Sequence, residues 1–200
     1  MGRRPNTEQR RAQIVTALMG VIVRKGYSGA SIQDIAQEAG LTPGLIHYHF
    51  ESKQEILITL FTRLEALVNQ RMQAGVRKLG KAGPLAALDA LIDAFLALDD
   101  TADRLAVNCW TMISAEAVYN HALGRAFRKV VHAQLRQIEE YLQLAFGGKV
   151  RRSGIRAGAA AILAAIHGSF LLASTAPGAI PAGTAAGSVK LMARGLLGKI

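Results

Sequence analysis

The chain contains one cysteine, Cys109, in 200 residues, and this excludes an intramolecular disulfide framework. No apolar leader with a small-residue cleavage site precedes the first charged segment, so the expected setting is the reducing cytoplasm. Aromatic residues make up 6% of the chain and prolines number five. Period-two alternation of apolar and polar residues is missing throughout, which argues against a sheet. Acids are also scarce. Fourteen Asp and Glu oppose 24 Lys and Arg, a formal charge of +10. Such an excess favours a polyanionic partner, because each cation placed on a phosphate releases a condensed counterion.

Catalytic constellations are missing as well. There are no paired carboxylates, no nucleophile triad and no metal cluster, so neither enzyme activity, a metal nor a cofactor is expected. His47 and His49 stand two apart, which on a helix splays them by about 200°, and no third ligand lies at helical spacing. The run from Gly75 to Ala82 nearly fits a phosphate-binding loop. It fails because a long helical pattern precedes it where a strand is needed, and Ala82 occupies the position of the magnesium-binding hydroxyl.

What the chain does have is an apolar half, enough to bury a core, and charge that is unevenly placed. Arg3, Arg4, Arg10, Arg11, Arg24 and Lys25 face only Glu8 in the first 25 residues, whereas residues 84–103 carry aspartates and no Lys or Arg. Residues 157–176 are apolar enough to be tested as a membrane span. Their Ala and Gly content and His167 favour a buried helix with close neighbours, so no membrane partner is expected.

Apolar residues recur at three and four, predicting an all-α chain of about nine helices. The first runs from about Thr7 to Lys25 with Gly26 as its stop, and Ile14, Ala17, Leu18, Val21 and Ile22 face inward. Ser31 with Asp34 resembles a capping box and opens a short helix ending at Gly40. Thr42 caps the next, with Pro43 at its first position. Ser52 with Glu55 opens a long helix reaching about Leu79. Further helices are predicted over about 84–98, 102–117, 122–146, 152–174 and 184–197.

Two short helices joined by a tight turn and braced by a preceding helix have the layout of a helix-turn-helix DNA reader. Ile35, Ala36, Leu41, Ile46 and Phe50 can close its core, leaving Pro43, Gly44, Leu45, His47, Tyr48 and His49 outward or sideways. Gly44 lets backbone approach a surface. His47 and Tyr48 offer hydrogen-bonding tips, Lys53 a phosphate clamp, Gln33 an adenine-reading amide, and Arg3-Arg4 an arm for phosphates or the minor groove.

These residues also carry a resemblance. Ser31 to Phe50, followed by Ser52-Lys53-Gln54-Glu55-Ile56-Leu57, resembles the DNA-binding signature of the TetR/AcrR repressors over about residues 8–68. The resemblance implies homodimers with a helical ligand domain, and DNA roles for Ser31, Gln33, Thr42, Pro43, Gly44, Leu45, His47, Tyr48 and Lys53. His47 stands where many members have Tyr, which bears on operator sequence. A weaker similarity, through His47-Tyr48-His49-Phe50 and Asn108 to Ala117, is to the branch containing the choline-responsive repressor of betaine synthesis.

The expected organisation is a helix-turn-helix domain over residues 1–55 and a helical effector-binding and dimerisation domain over 56–200. Phe61, Leu64, Phe95, Cys109, Trp110, Ile113, Glu116 and Tyr119 are the candidate pocket, with Glu116 and an aromatic ring suited to a cationic ligand. Phe127, Val131, Leu135, Ile138, Ile162, Ile166 and Phe170 are the candidate dimer interface, four helices forming a two-fold bundle. The expected function is a ligand-released repressor on a palindromic double-stranded operator. Two alternatives stand beside it: a choline-responsive repressor of betaine synthesis, which the weaker similarity would imply, and a nonspecific architectural DNA binder, which the charge alone would also allow.

Overall fold

Local capping chemistry decides where the helices of the N-terminal third begin and end. A computed structural model describes residues 7–79, 83–97, 101–146 and 150–197, without the side chains of 101–103 and 196–197. Arg3 and Arg4 lie outside the described residues. Helix α1 (Thr7–Gly29) breaks its helical backbone at Gly26, where φ is 72°, so a short extra turn follows the stop anticipated there. Helix α2 (Ile32–Ala39) opens on a reciprocal box: the Asp34 amide donates to Ser31 Oγ at 3.0 Å, and the Ser31 amide donates to Asp34 Oδ2 at 2.9 Å. It ends at Gly40 in the left-handed region, φ 63°.

Helix α3 (Pro43–His49) starts on Thr42, whose Oγ1 accepts from the Leu45 amide at 3.3 Å. Extended Phe50 ends it. In α4 (Lys53–Leu79) the Glu55 amide donates to Ser52 Oγ at 3.1 Å. The returning Glu55 carboxylate takes the Glu51 amide at 2.8 Å, one residue before the Ser52 that a simple capping box would use. At 1.5 Å per residue α4 is about 40 Å long. It is the longest strut between the two ends of the subunit.

Helices α5 (Pro84–Leu96), α6 (Thr101–Tyr119), α7 (His121–Phe146), α8 (Arg152–Thr175) and α9 (Ala185–Leu197) complete the described all-α architecture. The core is continuous: the inward stripe of α1, Ile35, Ile46 and Phe50 belong to the same buried cluster as Phe61, Trp110, Ile138 and Phe170. A head of three helices buries too little apolar surface alone. Here α1 packs on α4 and α6 and so borrows the core of the body.

Helix α8 is the apolar segment tested as a membrane span. Its mean hydropathy reaches 1.7, and the residues Ile155, Ala159, Ile162, Ile166 and Phe170 bury one face against the other helices. Gly158 on that face sits close enough that an added Cβ would meet Leu142 Cδ1 at 3.5 Å.

Candidate nucleic-acid interface and effector cavity

Helix α3 has one face anchored and one face bare. Ile46 is fully buried and Phe50 is 2% exposed, while Thr42, Pro43, Gly44, His47 and Tyr48 are exposed, Tyr48 by 75%. Leu45 is half-buried. Gly44 has open space where a Cβ would stand, so nothing within the subunit requires glycine at that position. Gln33 is exposed on neighbouring α2, and Ser31 is half-buried with its hydroxyl engaged by Asp34 at 2.7 Å.

His49, expected to face outward or sideways, instead turns inward. It is buried, with Tyr48 edge-on at 5.0 Å, and its backbone carbonyl accepts from Arg11 Nη1. The same guanidinium donates from Nη2 to Glu55 Oε1 at 2.9 Å and lies 3.9 Å over the Phe50 ring. Arg11 thereby ties α1 to the end of α3 and the start of α4, and its hydrogen bond holds the Glu55 carboxyl below its ordinary pKa. In the sequence, Arg11 stands out only as positive charge.

Other basic groups of that N-terminal run are likewise engaged. Arg24 pairs with Glu38 and Lys25 with Asp34, both at 2.5 Å, and the Lys25 contact with the Ser31 bonds pulls the Asp34 carboxyl well below the usual carboxylate range. Lys53 donates to the carbonyls of Tyr27 and Ala30 at 2.9 and 2.7 Å and sits 4.3 Å over the Tyr27 ring. An ammonium has three donors, so one remains beyond these two carbonyl bonds. From the α4 side, Arg63 reaches the Ala12 carbonyl at 3.2 Å and Thr16 Oγ1 at 3.0 Å. The positive charge near the head is therefore partly consumed in building it.

The body holds a partly open apolar cavity of ≈ 40 Å³ between α4, α5, α6 and α8. Of the candidate pocket residues, Leu64, Phe95 and Trp110 line it, joined by Leu67, Val68, Arg71, Ala94, Ala106, Val107 and Phe170. Phe61 stands behind, 5.4 Å from the Trp110 ring and 5.6 Å from Phe127. Cys109 and Ile113 are buried but do not line the cavity; burial pushes the Cys109 thiol up to about 12. Glu116 is half-buried away from it, close enough to Tyr27 to reinforce the upward shift that burial imposes on the phenol. Tyr119 is 84% exposed. The cavity residues on α4 follow the spacing 64, 67, 68, 71, a signal present in the sequence but absorbed there into the core stripe.

The candidate dimer residues divide in the same way. Ile138, Ile162 and Ile166 are fully buried and Phe170 nearly so, while Phe127, Val131 and Leu135 pack half-buried against the core. These side chains bind α7 and α8 within one subunit. Exposed apolar side chains lie elsewhere, among them Ala157, Ala160, Ala164 and Leu171 on the outer face of α8, Leu191 on α9, Val118 on α6 and Leu144 on α7.

Residues 14–60 match the model of the bacterial regulatory proteins, tetR family. An uncharacterized HTH-type transcriptional regulator of Lactococcus lactis is 28% identical, covering 84% of each chain. The HTH-type transcriptional regulator BetI of Paraburkholderia phymatum is 25% identical, over 82% of this chain and 81% of that one. Among solved structures, a transcriptional regulator from Rhodococcus sp. Rha1 superposes with a TM-score of 0.81 at 22% identity, covering 94% and 96%. A transcriptional regulator from Saccharomonospora viridis, solved in complex with choline, gives 0.75 at 22% identity over 96% of both chains.

Proposed function

The chain belongs to the tetR family of bacterial regulatory proteins, and from that premise we propose that it is a cytoplasmic repressor released from a palindromic operator by a small-molecule effector. It is a DNA-binding transcriptional regulator. The observation that carries the rest is the asymmetry of α3, whose outer face of Thr42, Pro43, Gly44, His47 and Tyr48 is bare while Ile46, His49 and Phe50 hold it inward. In this reading residues 1–55 form the DNA-binding domain and 56–200 the effector and dimerisation domain. Two α3 helices of a dimer enter successive major grooves about 34–36 Å apart. Backbone at Gly44 and the α3 N-terminus meet phosphate, His47 and Tyr48 reach base edges, and Gln33 and the third Lys53 donor add contacts from either side.

The second copy docks on the outer faces of α8 and α9, because Leu171 is 52% and Leu191 75% exposed there and the exposed alanines Ala157, Ala160 and Ala164 of α8 allow close helix approach. The effector occupies the cavity, and α4 links that cavity to the head. A ligand that parts α4 from α5 and α6 changes the separation of the two α3 helices, provided that it prefers the parted state.

Fluorescence anisotropy of labelled duplexes tests the reading, with DNA taken from beside the gene that encodes the chain. A palindrome there should be preferred over random duplex by at least ~10³ at moderate salt. Equal affinity for both would leave only a nonspecific binder. His47→Ala should reduce that preference more than it reduces binding to random duplex.

A further inference from the structure

Two buried polar groups stand unpaired beside the cavity between α4, α5, α6 and α8. Trp110 lines it at 5% exposure, and its indole N–H finds no acceptor among the described residues. The His167 ring lies edge-on to Trp110 at 5.9 Å and stacks on Phe170 at 6.3 Å, and its Nε2 is likewise unpartnered. Burial lowers the His167 pKa and keeps the ring neutral, so the two groups offer hydrogen bonding without charge. Arg71 on the same wall is already engaged. The group left waiting is the indole. A buried donor without an acceptor carries its full desolvation cost, and an acceptor placed on it recovers that cost.

We propose that this cavity selects an apolar molecule bearing a neutral acceptor oxygen, a ketone or an ester, over a hydrocarbon of the same shape. The apolar body lies among Leu64, Val68, Phe95 and Phe170, and the oxygen accepts from the Trp110 indole. This deepens the effector reading above and rests on it. An oxygen entering a purely apolar cavity gives up its water and gains no partner, so such a cavity prefers the hydrocarbon. The unpaired indole reverses that order, because a hydrocarbon leaves the donor stranded while the oxygen relieves both losses at once. Phe95, Val107, Trp110 and Phe170 are buried, whereas Leu67 of α4 is 41% exposed, so the mouth lies on the α4 side. A cavity of ≈ 40 Å³ holds only a few waters, and a larger occupant shifts α4 as it enters. Binding is thereby coupled to the helix that supports the head.

Trp110 is the one tryptophan of the chain, so its indole N–H gives one isolated proton–nitrogen resonance in the full-length protein. The probes are acetophenone and ethylbenzene, which share a ring and differ by a carbonyl in place of a methylene. Acetophenone should move the indole proton downfield of its position with ethylbenzene, since the ring current is common to both and only the ketone accepts a hydrogen bond. By calorimetry it should bind at least about fivefold more tightly, the lower margin for relieving an unpaired buried donor. Trp110→Phe keeps a ring against Phe61 and Phe127 and removes the donor, so it should bind ethylbenzene at least as tightly as acetophenone. Should that variant fold poorly by circular dichroism, the ranking and the resonance of the unaltered protein decide alone. Ethylbenzene binding as tightly as acetophenone overturns the proposal, as does a ketone preference that survives in Trp110→Phe, an indole resonance that the ketone leaves in place, or no acetophenone binding up to about 5 mM. Operator binding is measured separately on labelled duplex. A protein that prefers its operator but not the ketone refutes the ligand class and leaves the regulatory reading standing.

Discussion

The head and the body of this subunit differ in how their polar side chains are engaged. In the head, Ser31, Asp34, Thr42, Ser52 and Glu55 satisfy helix ends, and Arg11, Arg24, Lys25, Lys53 and Arg63 each find a named acceptor. In the body, Trp110 Nε1, His167 Nε2 and Gln134 Oε1 are buried without a partner in the protein. A satisfied network holds one geometry, as a reading surface needs. Of the three unpartnered groups, the Trp110 indole lines the cavity and the His167 ring lies against it, and a donor left unpaired there leaves a gain that binding can collect.

The strongest test of this contrast is Phe50→Ala. The ring is 2% exposed and lies under Arg11, so its removal should cost about 3–5 kcal/mol in urea unfolding and abolish operator binding. A loss near zero would show that the head is not held as described.

Arg11→Ala comes next, at about 1–3 kcal/mol, since it frees the His49 carbonyl and the Glu55 carboxylate together. Its pH signature is specific. The Glu55 pKa is lowered in the folded protein, so its contribution is present above its ordinary value of 4.5 and is lost as pH falls through the folded value. The variant should therefore unfold with a shallower acid limb below about pH 4.5.

His167→Leu probes the body and should behave differently. Removing an unpartnered buried polar ring for an apolar one should change stability by less than about 1 kcal/mol, in either direction. The His167 pKa is depressed by burial, so the unfolded chain takes up the proton first and stability falls as pH drops below about 6.5. Thermal melts from pH 7.5 to 5.5 should lose that dependence in the variant. A large destabilisation at pH 7.5 would mean that the ring holds the core rather than the cavity.

Gly44→Ala has the smallest effect on folding and separates fold from function most cleanly. Its Cβ meets nothing within 4 Å, so the helix should gain roughly 0.5–1 kcal/mol from the residue's better propensity. Under the proposed docking of α3, operator affinity should nevertheless fall, because the added methyl would stand between the helix and the DNA. A variant that gains stability and keeps full affinity would remove Gly44 from the interface.

Much of this was legible in the residue order. Ser31 with Asp34, Thr42 with Pro43, and Gly40 announce the α2–α3 unit because capping is a contact between near neighbours in the chain. The buried stripe of α1 and the pairing of Ile46 with Phe50 follow from helical period alone. What periodicity could not separate was core from interface and core from cavity. Ile162 and Leu67 share the same chemistry, yet one is fully buried within the subunit and the other 41% exposed at the cavity.

Residue order alone specifies an all-helical chain, the caps that start α2, α3 and α4, and the bare Thr42, Pro43, Gly44, His47 and Tyr48 of α3, all of which depend on contacts within a few residues; it does not specify the extra turn of α1 beyond Gly26 or the burial of His49. Tertiary structure decided the fate of the long polar side chains. Arg11 meets a carbonyl 38 residues away and Glu55 44 away, Lys53 closes the α1–α2 turn, and Glu116 faces Tyr27 instead of the cavity. A flexible charged side chain takes whichever partner the packed helices bring within reach, and that choice exists only once the helices have met.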